Sequence, residues 1–203
     1  MNSTVAKSLF SSHSYEEYRK IVTDLLTEGK TSGNEQSEDL VNYSRLNEKR
    51  MDRLEKTIQI TPETQKVIKN LKHDYIWLVI SEGWCGDAAQ ILPIIHKMAE
   101  IDSKKIDLRI VFRDENLELM DYFLTNKGRA IPKLIIINKA TAQVENHWGP
   151  RPIGAAELIA SYKKQNSKFD ETIKTELQLW YLHDKGLSTQ AEIIETMLFV
   201  ERN

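Results

Sequence analysis

With 203 residues, 40 % of them hydrophobic and 29 % charged, the chain has the make-up of a globular protein and not of a disordered one. A formal net charge of −2 lacks the basic excess of a nucleic-acid binder. A single cysteine, Cys85, excludes an intramolecular disulfide and a cysteine-based zinc cluster.

The stretch Met1–Phe10 has one basic residue and no apolar run, so no secretory signal is expected. No segment approaches the roughly 20 apolar residues of a membrane helix. A cytoplasmic location, with neither nucleic acid nor membrane as partner, is the expectation.

Residues 14–28 read as a helix. Ser14 and Glu17 have capping-box spacing, Gly29 can end it, and Tyr15, Tyr18, Ile21, Val22, Leu25 and Leu26 share a face. Residues 30–37 read as a polar loop. Residues 38–58 predict a long helix with Leu46, Met51, Leu54 and Ile58 as its buried stripe. Its mixed-sign charges read as a solvated face with local ion pairs. Thr61-Pro62 is a helix start, with a capping threonine before proline at the first position, and that helix should run to about Lys72.

Tyr75–Ile80 is a continuous apolar run that suits a buried central strand. The pattern then alternates: helix 86–100, strand 106–112, helix 115–126, strands 133–138 and 143–148, helix 154–165. This order argues for an α/β fold, a central mixed sheet flanked by helices. Asp114, Glu115 and Asn116 read as a helix cap. The tail from Ser167 reads as helical, with Gly186 stopping one helix and Thr189 with Glu192 capping the last. The expected organisation is an N-terminal helical extension (1–60), a core domain (61–165) and C-terminal helices packed on it (166–203).

The stretch with chemical content is Ser81-Glu82-Gly83-Trp84-Cys85-Gly86-Asp87-Ala88, between a buried strand and an amphipathic helix. A cysteine at a helix start meets unpaired N–H groups and the positive end of the helix dipole. Both lower a thiol pKa, and the thiolate is the nucleophile. Asp87 works in the other direction, since its charge opposes a neighbouring thiolate. The five histidines are scattered without metal-ligand spacing, and no metal is expected. His96 lies eleven residues beyond Cys85, too far along the helix to act as its base.

Trp84-Cys85-Gly86 between strand and helix resembles the thioredoxin active-site turn. Pro93 matches that family's helix proline in spacing, and Arg129-Ala130-Ile131-Pro132-Lys133 resembles its cis-proline loop. The resemblance covers about residues 62–165 and implies a thioredoxin-like fold with a cis Ile131–Pro132 bond. It implies Cys85 as the reacting group, with Trp84, Gly86, Asp87, Ala88, Ile131 and Pro132 around the substrate. Two positions depart from the family pattern. Ala88 stands where the second cysteine would be, and Val79 stands where many thioredoxins bury an acid. Without a resolving thiol, Cys85 can form a mixed disulfide that only an external thiol releases. Two functions stay open on this sequence. One is monothiol exchange on protein or small-thiol substrates, with no cofactor. The other is a non-catalytic module that binds a protein or peptide partner. Trp148-Gly149-Pro150-Arg151-Pro152 reads as a stiff structural turn, with a rim contact beside the Cys85 site as the functional alternative.

Overall fold

The computed structural model describes residues 3–166 and 170–202. Its elements in chain order are α1 (Ser3–Phe10), α2 (Tyr15–Thr27), α3 (Glu38–Thr57), α4 (Pro62–Lys69), β1 (Tyr75–Ser81), α5 (Gly86–Glu100) and β2 (Ile106–Phe112). There follow α6 (Leu117–Asp121), β3 (Lys133–Asn138), β4 (Val144–Trp148), α7 (Ile153–Gln165), α8 (Glu171–Asp184) and α9 (Leu187–Val200).

The strands form one sheet in the order β2-β1-β3-β4. β1 runs parallel to β2 and antiparallel to β3, and β3 runs antiparallel to β4. A parallel neighbour needs a crossover, which α5 supplies, whereas β3 and β4 need only a short turn. The central position of β1 explains its unbroken apolar run: Trp77, Leu78, Val79 and Ile80 are all 0 % exposed. Ile135, Ile136 and Ile137 of β3 are equally buried beside it. The result is a thioredoxin-like mixed sheet between helices, with further helices at both ends.

The N-terminal helices finish the sheet. His13 exchanges two backbone hydrogen bonds with Ile110, each 2.8 Å, and so covers the open edge of β2. α2 begins with the expected capping box, Ser14 accepting from the Glu17 N–H and Glu17 accepting from the Ser14 N–H. Arg19 of α2 reaches Glu48, Asp52 and Glu55 of α3, so the charged face of α3 pairs partly across helices.

Several local expectations are corrected. α1 forms where no element is predicted. α4 stops at Lys69, short of Lys72. Leu46 is 43 % exposed and does not belong to the buried stripe of α3. That stripe holds Val41, Ser44, Asn47, Met51 and Leu54, and its two polar members face inward because they have partners there. Ser44 bonds Thr31, and Asn47 bonds the Gly83 carbonyl. The helix expected over 115–126 shrinks to Leu117–Asp121, and the end of that stretch is a tight turn bridged between Thr125 and Gly128, in which Asn126 and Lys127 take positive φ values of 51° and 65°. Thr189 lies inside α9 and caps nothing, and Glu192 instead accepts from the Trp148 indole and the Ile153 N–H. Asp114 and Glu115 are no cap either. Asn116 occupies the N-cap position of α6 without a side-chain cap bond and donates to the Phe112 carbonyl. His96 stacks on Tyr15 at 3.9 Å.

Candidate functional site

Cys85 is the N-cap of α5. Its extended backbone (φ −77°, ψ 112°) lets Sγ accept the Ala88 N–H at 3.5 Å. The thiol in turn donates to the Ile131 carbonyl at 3.4 Å, across from a cis Ile131–Pro132 bond. Cys85 is only 7 % exposed. Burial, and then the Asp87 charge, push its pKa up from 9.0 to about 12. The N–H groups of Ala88 and Asp87 and the Arg151 charge act the other way and are outweighed. The expected lowering at a helix start is therefore reversed, because removing the sulfur from water costs its anion more than two N–H groups return.

Asp87, two residues beyond Cys85, is itself almost buried. It pairs with Arg151 at 2.6 Å and accepts from the Tyr181 hydroxyl at 2.8 Å. Burial and the Asp87 charge hold the Tyr181 phenol well above its usual pKa, so it stays a donor. Gln90 donates to Gln178 of α8 at 2.6 Å. The C-terminal helix α8 is thus hydrogen-bonded to the first turn of α5. Ala88 packs behind, 1 % exposed.

Glu82 ties down the other side of the turn. It is fully buried and accepts from Ser32 Oγ and from the Asp114 N–H. Burial pushes its carboxyl pKa upward. Ser32 also accepts from the Gly83 N–H at 2.8 Å, and Asn47 donates to the Gly83 carbonyl at 3.0 Å. Gly33, with φ +86°, lies against Asp114 and the Trp84 indole, where a Cβ would come within 2.7 Å of Asp114 Oδ2. Trp84 is therefore half-buried, with the Arg113 guanidinium 4.8 Å from its ring centre.

A second cis bond, Gly149–Pro150, abuts the first, and a Cβ on Gly149 would meet the Pro132 carbonyl oxygen at 2.5 Å. The buried Lys133 binds the pair of turns through Thr125 Oγ1 at 2.7 Å and the Gly149 carbonyl at 2.8 Å. Burial takes its pKa down to about 8. The turn 149–152 thereby delivers Arg151 to Asp87.

Over Cys85 lies an open cleft of about 420 Å³. Trp84, Cys85, Gly86, Asp87 and Ile131 line it, whereas Ala88 and Pro132 are buried and not part of its lining. Sequence reasoning missed its cations: Arg50, Arg113, Arg129, Arg151 and Lys174. Arg113 could have been suspected from its place at the C-terminal end of β2, where open α/β sheets hold ligands. Arg50 and Lys174 carry no local signal, because they arrive from helices far away in sequence. Among the described residues no group of three or more His, Cys, Asp or Glu side chains is placed to hold a metal ion, and no helix is long and apolar enough to cross a membrane.

Comparison with curated proteins finds no match. Among solved structures the chain is similar to a Pseudomonas aeruginosa protein of unknown function, at 14 % identity and a TM-score of 0.52, over 92 % of this chain and 97 % of that one. It is also similar to an HIV epitope-scaffold, at 15 % identity and a TM-score of 0.55, over 91 % of this chain and 98 % of the other. Likeness at these identities speaks to fold alone. The family model described as thioredoxin matches residues 33–164, which is more than half the sequence and includes the turn around Cys85 and both cis-proline bonds. The chain belongs to this thioredoxin family.

Proposed function

We propose that the chain is a thioredoxin-fold binding module in which Cys85 is a neutral hydrogen-bond donor in the cleft wall and not a resting nucleophile. The observation that carries this reading is the setting of the sulfur. It is nearly buried, donates to Ile131, and stands beside a buried carboxylate. Ala88 in place of a resolving thiol and Val79 in place of an acid agree with it. The partner, a protein or peptide segment, would meet Trp84 and the edge of the Ile131–Pro132 loop. Helices α3 and α8 would extend that surface.

A second reading is favoured by the place of Sγ in the lining of an open cleft, where it receives the Ala88 N–H. In it the Cys85 thiolate bonds to one sulfur of a substrate disulfide while the other sulfur leaves as thiolate. An external thiol then releases the adduct. This requires ligand binding to remove the thiol proton.

The deciding experiment incubates native and urea-unfolded protein with excess of a small uncharged disulfide at pH 7 and reads intact mass. The binding-module reading expects the native chain to stay unmodified while the unfolded chain takes one adduct. Native modification as fast as the unfolded chain's would overturn it in favour of exchange.

A further inference from the structure

The cations of the cleft come from separate parts of the chain, and most are already neutralised. Arg113 pairs with Asp114 at 2.8 Å, Arg129 with Asp121 at 2.7 Å, Arg151 with Asp87 at 2.6 Å and Lys174 with Glu171 at 2.6 Å. Arg50, on α3, differs. Its Nη1 donates to Asn47 Oδ1 at 2.9 Å, and among the described residues no carboxylate forms an ion pair with it. Asn47 also holds Gly83, so the same amide that fixes the Cys85 turn orients this guanidinium. Arg50 is half-buried, and both burial and the neighbouring Arg53 charge press against its protonated form. A partly desolvated cation without a counter-charge is costly, and an arriving anion removes that cost. The guanidinium fork fits carboxylate and phosphate alike.

The rest of the lining points to the same class of ligand. Among the described residues the one carboxylate in it is Asp87, already held by Arg151 and Tyr181. Leu40, Tyr43, Trp84 and Ile131 supply apolar contact between the charges. The cleft volume, about 420 Å³, falls within the range that holds small organic molecules. We propose that this cleft takes a small polyanion bearing carboxylate or phosphate groups, with Arg50 as its main anchor. The proposal goes beyond the binding-module reading, whose protein or peptide partner meets the surface around Trp84, and assigns the cleft itself a small anionic ligand; it rests on that reading only in that Cys85 serves as cleft wall and not as nucleophile.

The test is calorimetric titration of the full chain at low salt with citrate, with pyrophosphate and with an acidic glutamate-rich peptide. Wild type, Arg50→Gln, Arg50→Lys and, as an exposed control, Arg202→Gln are compared. The proposal expects citrate or pyrophosphate to bind, at least about 10-fold more weakly to Arg50→Gln and unchanged in Arg202→Gln. Arg50→Lys, which keeps the charge without the fork, should recover part of the loss. Preference for citrate names carboxylate, and preference for pyrophosphate names phosphate. Binding of neither small anion, equal weakening in the Arg50 and Arg202 variants, or binding of the peptide alone would each overturn it. The disulfide incubation separates the two levels. A reactive native Cys85 defeats the binding-module reading whatever the anions do, and an inert Cys85 with no anion bound defeats only the ligand class.

Discussion

The reactivity of Cys85 in the folded protein is the sharpest quantity the structure implies. Moving the thiol pKa from 9.0 to about 12 lowers the thiolate fraction near neutral pH about 1,000-fold, since each unit is a factor of ten. Exposure of only 7 % reduces access further. Transient unfolding adds little: with a stability of ~6 kcal/mol or more, the open fraction is below about 10⁻⁴. The assay is alkylation by iodoacetamide between pH 6 and 11, followed by intact mass, in native buffer and in urea. The unfolded protein should show a rate that levels off above its ordinary thiol pKa. The native protein should react about 1,000-fold more slowly at pH 7 and still be rising tenfold per pH unit at pH 10. With one cysteine in the chain, the curve needs no assignment. A native rate within tenfold of the unfolded one, or a native plateau below pH 9, would refute the argument that burial outweighs the helix start.

Tyr181→Phe removes one charge-assisted hydrogen bond to the buried Asp87 and should lower stability by about 1.5–3 kcal/mol, read from urea unfolding. An unchanged midpoint would mean that α8 does not brace the Cys85 turn. The raised thiol pKa also sets a pH dependence. Below the unfolded-state pKa both states keep the proton, and the contribution to stability is intact. Above about pH 9 the unfolded chain loses it first, so stability from this group should fall by about 1.4 kcal/mol per pH unit up to about pH 12. Cys85→Ala should lack that component, and parallel wild-type and variant curves between pH 9 and 10.5 would count against it. Ala88→Cys places a thiol one helical turn from Cys85, where the residue 88 N–H already reaches Sγ at 3.5 Å. Mild oxidation should consume both thiols of the folded variant, and persistence of two free thiols would show that the turn cannot adopt the bridged geometry.

Much of the scaffold is legible locally. The apolar run 75–80, the alternating elements after it, the Ser14–Glu17 capping box and the Thr61-Pro62 helix start depend on neighbouring residues, and each forms in the structure. The position of Cys85 at the start of α5 follows from the same local pattern, and the cis Ile131–Pro132 bond follows from the family resemblance. Leu46 shows where local reading stops. Apolar periodicity could not anticipate that Ser44 and Asn47 would turn inward to meet Thr31 and Gly83.

Local patterns suffice to specify a sheet between helices with one cysteine at a helix cap. What that cysteine experiences depends on how the closed chain packs around it. Its burial, the Asp87 carboxylate, and the Arg151 and Tyr181 that hold that carboxylate are properties of packing between segments distant in sequence. The basic lining of the cleft has the same origin: its cations stand at positions 50, 113, 129, 151 and 174 and share no motif. Helix caps, turns and the apolar period of each element are set by neighbouring residues and leave a pattern in sequence. Desolvation and charge convergence are sums over space, and they exist only once the chain has closed on itself.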